Sequence, residues 1–150
     1  MADKTDLEAF REWISSFPDF PVLERFQVDY TDQIPCNGGL FPSGLVELSR
    51  KEDILGNITV TNQYNFALYY IFQKSPGDDF GATENAEWLI RFQKWVQEQG
   101  IRNSVPKFGN TETRQIVKAQ NGALYEQDEE GTAVYMVQVS VQYEMHYEVI

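Results

Sequence analysis

Cysteine is almost absent from this 150-residue chain. Cys36 stands alone, which excludes an intramolecular disulfide and a cysteine-based zinc site and suits a reducing compartment. Basic residues are also scarce: 12 Lys plus Arg against 23 Asp plus Glu leave a formal charge of -11. That balance repels a phosphate backbone and an anionic membrane surface alike, so neither sequence-specific nucleic-acid binding nor membrane association is expected. No run of about eighteen apolar residues occurs, and the opening Met1-Ala2-Asp3-Lys4-Thr5-Asp6 lacks the apolar core of a signal peptide. A cytosolic protein without a transmembrane segment is expected. Neither a Walker A loop nor a Rossmann glycine pattern is present, and Gly38-Gly39 by itself specifies nothing.

What the chain does have is apolar and aromatic residues, at 42% and 14%, too many for a disordered polymer. Its length suits one domain, residues 1–150, that buries about two thirds of its unfolded surface. The strongest pattern lies at the end. From Tyr135, every second residue is Tyr135, Val137, Val139, Val141, Tyr143, Met145, Tyr147 and Val149, interleaved with Gln138, Ser140, Gln142, Glu144, His146 and Glu148. Period-two alternation of this length predicts a long antiparallel strand, central in its sheet, with one buried and one solvated face.

The preceding segments fall into place around it. Residues 5–17 predict a helix opened by a capping box, Thr5 with Glu8, and carrying the stripe Leu7, Phe10, Trp13, Ile14 and Phe17; Pro18 and Pro21 stop it. Residues 23–30 predict a short strand with Phe26, Val28 and Tyr30 inward. Pro35, Gly38, Gly39 and Pro42 mark residues 31–43 as a loop, and residues 44–51 as a second strand. Residues 57–73 alternate again, with Ile58, Val60, Tyr64, Phe66, Leu68, Tyr70 and Phe72 on one parity. The other parity starts polar and turns apolar at Ala67, Tyr69 and Ile71. A second helix begins at Thr83 or Asn85, presents Trp88, Leu89, Phe92, Trp95 and Val96, and ends with Gly100 in the left-handed position. Residues 101–109 read as a linker, residues 113–125 as a strand kinked at Asn121-Gly122, and residues 127–131 as an acidic hairpin tip. The order αβββαββ predicts an α+β two-layer sandwich: a mostly antiparallel sheet of about five strands with two helices packed on one face.

Chemistry is hard to find. His146 lies between Glu144 and Glu148 on one strand face, but a single row leaves any metal short of converging ligands, so a solvated face is the better reading. The acids at Asp128, Glu129 and Glu130 lack the spacing of an EF-hand. Cys36 has no second histidine to activate it beyond the distant strand. No catalytic residue, metal or cofactor is expected.

Several segments taken together carry a resemblance: Leu7-Glu8-Ala9-Phe10-Arg11-Glu12-Trp13; Phe66-Ala67-Leu68-Tyr69-Tyr70; Trp88-Leu89-Ile90-Arg91-Phe92-Gln93-Lys94-Trp95-Val96; and Gly122-Ala123-Leu124-Tyr125 leading through the acidic turn to Ala133-Val134-Tyr135-Met136-Val137-Gln138-Val139. In these the chain resembles the minor capsid or minor tail proteins of tailed phages and prophages of Gram-positive bacteria. By order of elements it is similar to tail terminator, or tail-to-head joining, proteins. The resemblance implies a non-enzymatic protomer that closes into a self-assembled ring, commonly a hexamer, at the head-proximal end of the tail tube. Its partners would be the tail tube protein and the head connector, with DNA passing through the lumen; it would act in the host cytoplasm during assembly and then in the virion tail. A ring needs two different patches that meet. Ala67, Tyr69, Ile71, Cys36, Leu40 and Phe41 are the expected assembly residues, and Gln138, Gln142, Glu144, His146 and Glu148 the expected lumen or polar sheet face. The rival readings are another head-completion protein or a tube subunit and, from a different class, a small α+β enzyme or ligand-binding domain using a groove near Cys36 and His146.

Overall fold

Helix α1, Asp6–Ser15, starts where its capping box is written: Thr5 Oγ1 accepts from the Glu8 amide at 3.2 Å, and the Glu8 carboxylate accepts from the Thr5 amide at 3.3 Å. In the computed structural model, which describes residues 5–18, 25–28, 37–73, 79–127 and 132–149, the chain continues through β1 (Arg25–Val28), β2 (Asn37–Glu52) and β3 (Ile58–Gln73). It then passes into α2 (Asp79–Ile101), β4 (Ile116–Gln127) and β5 (Thr132–Tyr147). This is the expected αβββαββ order of an α+β fold. The strands form one sheet in the order β1-β2-β3-β5-β4. Four of them make an antiparallel ladder, and β1 adds a four-residue parallel edge against residues 37–40 of β2.

β5 lies between β3 and β4, as its alternation predicts, and its odd residues face the helices. Register places Tyr135, Val137, Val139 and Tyr143 of β5 opposite Tyr70, Leu68, Phe66 and Asn62 of β3. All eight are buried, and both helices lie over them. Phe66 stacks on Phe10 of α1, with centroids 3.6 Å apart, and on its strand neighbour Tyr64 at 4.4 Å. The helices also lock to each other: Trp13 stacks on Trp95, while Phe17 meets Trp88 and Phe92 edge-on at 5.4 and 5.3 Å. Large rings spaced three and four residues apart on both helices thus form one aromatic layer.

Three boundaries differ from expectation. β2 begins at Asn37, inside what the Gly and Pro residues mark as a loop. Gly38 and Gly39 are buried opposite Tyr70 and Tyr69, whose rings supply the cross-strand bulk that glycine lacks. Pro42 pairs with Phe66 of β3 beside a register shift between Pro42 and Gly44, the kind of strand irregularity at which proline is accommodated. α2 begins at Asp79, ahead of Thr83. Its C-terminal left-handed residue is Asn103 (φ 56), not Gly100. The Ser104 amide bonds the Gln99 carbonyl at 2.8 Å and the Asn103 amide that of Gly100 at 3.2 Å, a Schellman pair. Gly100 instead approaches β4, where a Cβ would sit 3.6 Å from the Val117 carbonyl oxygen. The kink in β4 is as predicted: register shifts between Gln120 and Ala123, with Asn121 at φ 58.

The segment after α2 is more than a linker. Phe108 is buried against Tyr143, and the buried Gln115 carboxamide accepts from the Phe108 and Gly109 amides at 2.7 and 3.2 Å. Gly109 is forced by space, since a Cβ there would run into the Glu144 backbone.

Candidate assembly surface

The face of the sheet away from the aromatic layer carries the other parity of every strand. On β3 and β5 it pairs Thr59 with His146, Thr61 with Glu144, Gln63 with Gln142, Asn65 with Ser140, Ala67 with Gln138 and Tyr69 with Met136. Carboxamides and hydroxyls dominate, and they bond one another: Gln63 donates to Asn65 at 2.8 Å, and Asn121 donates to Gln138 at 2.9 Å. Register brings Lys51 opposite Thr59, Lys118 opposite Ser140 and Glu126 opposite Val134 onto the same face as Glu144. Among the described strand positions of this face lysines and carboxylates are thus balanced, while other acids sit on the helices and turns at residues such as Glu8, Glu12, Glu87, Glu98 and Asp53.

Of the expected face residues, Gln138 is exposed, Gln142, Glu144 and His146 are half-buried, and Glu148 lies exposed beyond the end of β5. Glu144 and His146 are held by loop contacts. Thr111 and Thr113 hydroxyls reach Glu144 Oε1 at 3.5 and 3.0 Å, and His146 Nδ1 lies 2.9 Å from Thr59 Oγ1. Above the start of β4, Asn110 takes over as the neighbour of β5: its carboxamide donates to the His146 carbonyl at 2.9 Å and accepts the His146 amide at 2.7 Å. Among the described residues, no three His, Cys, Asp or Glu side chains come together as metal ligands. Nor is any helix among them long and apolar enough to cross a membrane.

The expected assembly residues separate. Ala67 and Tyr69 are half-buried on the open face, and Phe41 packs edge-on against Tyr69 at 5.1 Å, so these three form an apolar corner. Leu40 is corrected: it lies opposite Leu68 on the helix side and is 0% exposed, because one residue along a strand changes the face. Cys36 and the side chain of Ile71 lie outside the described residues.

A feature the sequence pattern did not flag is the far half of the β2–β3 hairpin. Every residue from 43 to 55 is exposed, including Leu45, Val46, Leu48, Ile54 and Leu55. Beyond β1, this part of β2 has no outer neighbour among the described residues. Two bulges and the charges of Glu47, Arg50, Lys51 and Glu52 discourage simple edge-to-edge pairing. At the tip, Asp53 Oδ1 accepts from the Leu55 and Asn57 amides at 2.8 and 2.9 Å, and Gly56 turns the chain at φ 87. The slight burial of the Asp53 carboxyl pushes its pKa up, but these amide bonds outweigh it and the net shift is downward. These bonds close the turn, and what it presents is apolar. The available signal was Ile54-Leu55 itself, an apolar pair inside a turn where polar residues suffice.

No family model matches the chain, and no curated protein matches it.

Proposed function

We propose that the protein is a non-enzymatic phage tail component, a terminator whose copies close into a ring at the head-proximal end of the tail tube and join tail to head. The observation that carries this reading is the bare hairpin arm: Leu45, Val46 and Leu48 are about half exposed, Leu55 is 77% exposed and Ile54 fully so. Five large aliphatic residues on this arm lie outside the buried core cluster, and such exposed patches mark contact with another protein. The apolar corner of Phe41, Ala67 and Tyr69 offers a second patch, so copies can meet through unlike surfaces, as ring closure requires. The amide and hydroxyl face suits a lumen. It lacks the cationic density that holds a phosphate backbone and the anionic density that would repel DNA in transit.

Light scattering after size exclusion, followed by electron microscopy, tests the proposal. Closed rings that cap isolated tail tubes are the expected result. Long polymers would indicate a tube subunit instead. A protomer mass at high concentration, with no binding to tubes, would overturn the reading.

A further inference from the structure

We infer that Asn121 is a site of deamidation, with the Gly122 backbone nitrogen as nucleophile and water as co-reactant. The chain has two Asn-Gly pairs, Asn37-Gly38 and Asn121-Gly122. Glycine is the successor that hinders this reaction least, because no Cβ shields its nitrogen from the preceding side-chain carboxamide. The sequence therefore marks both pairs alike, and the fold separates them.

Asn37 and Gly38 are laddered on both sides, to Arg25 and Phe26 of β1 and to Ile71 and Tyr70 of β3, and Gly38 is buried. Attack there has to wait until the ladder opens. Asn121 and Gly122 instead lie inside the register shift of β4, between Gln120 opposite Gln138 and Ala123 opposite Met136, and neither has a partner in the register. β4 is also an edge strand, so no strand among the described residues flanks the bulge on its other side. Asn121 is exposed. Among the described residues the other exposed asparagines are Asn103 and Asn110, and both are held. The Ser104 amide, which would have to attack Asn103, bonds the Gln99 carbonyl at 2.8 Å. The His146 backbone engages both polar atoms of the Asn110 carboxamide. Asn121 is restrained by a bond between two exposed side chains, its Nδ2 donating to Gln138 Oε1 at 2.9 Å.

The reaction balances without an enzyme. Hydroxide takes the Gly122 N–H proton and the nitrogen bonds to Asn121 Cγ. The Cγ–Nδ2 bond then breaks, with a proton supplied by water, and ammonia leaves a succinimide ring behind. Water opens that ring at either carbonyl to give aspartate or isoaspartate, so the sum is carboxamide plus water to carboxylic acid plus ammonia. Isoaspartate places Cβ in the main chain, and a bulge accommodates the extra atom because its residues keep no register with a partner. Aspartate has no donor for Gln138 Oε1, so the Gln138 carboxamide must turn to donate instead. The product keeps its fold and changes its surface. Its formal charge is one unit more negative than -11, and the new carboxylate tips the balance of Lys51 and Lys118 against Glu126 and Glu144 on the open face.

Peptide mapping by mass spectrometry of the full chain, aged in mildly alkaline buffer with and without urea, tests the assignment. In urea, Asn37 and Asn121 should convert at similar rates. In the folded chain Asn121 should stay within about tenfold of its unfolded rate, while Asn37 slows at least about a hundredfold. Asn121→Gln should abolish the acidic species that native ion exchange resolves as the chain ages. Gln138→Ala, which frees the Asn121 carboxamide, should speed its conversion about twofold. Equal conversion of Asn37 and Asn121 in the folded chain, or an Asn121 that converts in urea and not when folded, overturns the assignment. Either result concerns the protomer alone and leaves the ring reading standing.

Discussion

On the helix side of β3, Phe66, Leu68 and Tyr70 are at most 1% exposed and lie beneath a layer of rings. On the other side of the same strand Gln63, Asn65 and Ala67 alternate with them residue by residue, meet no helix and remain half-open. The difference teaches how little sequence separates stability from surface. Burial of large apolar groups contributes most of the free energy of folding, so the aromatic parity sustains the protomer and the amide parity is released for other work.

The contrast is tested most severely at its centre. Phe66→Ala removes the ring held between Phe10 and Tyr64 and should cost about 3–5 kcal/mol in urea unfolding; a loss under about 1 kcal/mol would mean that the aromatic layer is not the seat of stability. Next comes Gly109→Ala, which drives a methyl group into the Glu144 backbone and should cost about 1–3 kcal/mol, although Gly109 belongs to a loop.

Alkaline pH probes the buried parity from a different direction. Full burial pushes the Tyr70 phenol well above its ordinary value of 10.0. Tyr143 is raised too, first by burial and then by the negative charge of Asp6, while its hydrogen bond with Asn62 pulls it back. A pKa raised on folding contributes stability that is complete below the unfolded value and lost as pH rises toward the folded one. Urea midpoints should therefore fall above pH about 10. Tyr70→Phe should flatten that fall, and an unchanged slope would place the titration elsewhere. Smallest of all, Gln138→Ala on the open face should change stability by less than about 0.5 kcal/mol; a larger loss would show that the amide network is structural.

Both helices and the two central strands were legible in the sequence because their signals are periodic and local. The capping box of Thr5 and Glu8, the rings of α2 and the alternation of β5 each lie within one segment. The first half of β2 was not legible. Gly38, Gly39 and Pro42 are breakers by propensity, and what overrides them, Tyr70, Tyr69 and Phe66 across the ladder, comes from a distant part of the chain. The misplacement of Leu40 follows from that error, since a residue assigned to a loop has no parity to consult. Gly100 misled for the opposite reason: glycine suits a left-handed cap, yet here it serves close approach to β4 and Asn103 makes the turn. For the candidate surface, the polar parity of β5 was readable, whereas the bare arm was not. Exposure of Leu45, Val46 and Leu48 depends on where α1 and α2 end up, which no local pattern records.

The clasp between Asn110 and His146 gives the molecule a built-in reporter. One carboxamide supplies both the acceptor and the donor that a neighbouring strand residue would offer to His146. Detaching it requires only that one side chain swing aside, while Val139, laddered between β3 and β4, opens only when the sheet itself separates. In deuterated solvent the His146 amide should exchange by a local excursion of the loop and the Val139 amide by global unfolding. Comparing the two rates times the opening of one end of the sheet separately from the life of the whole fold.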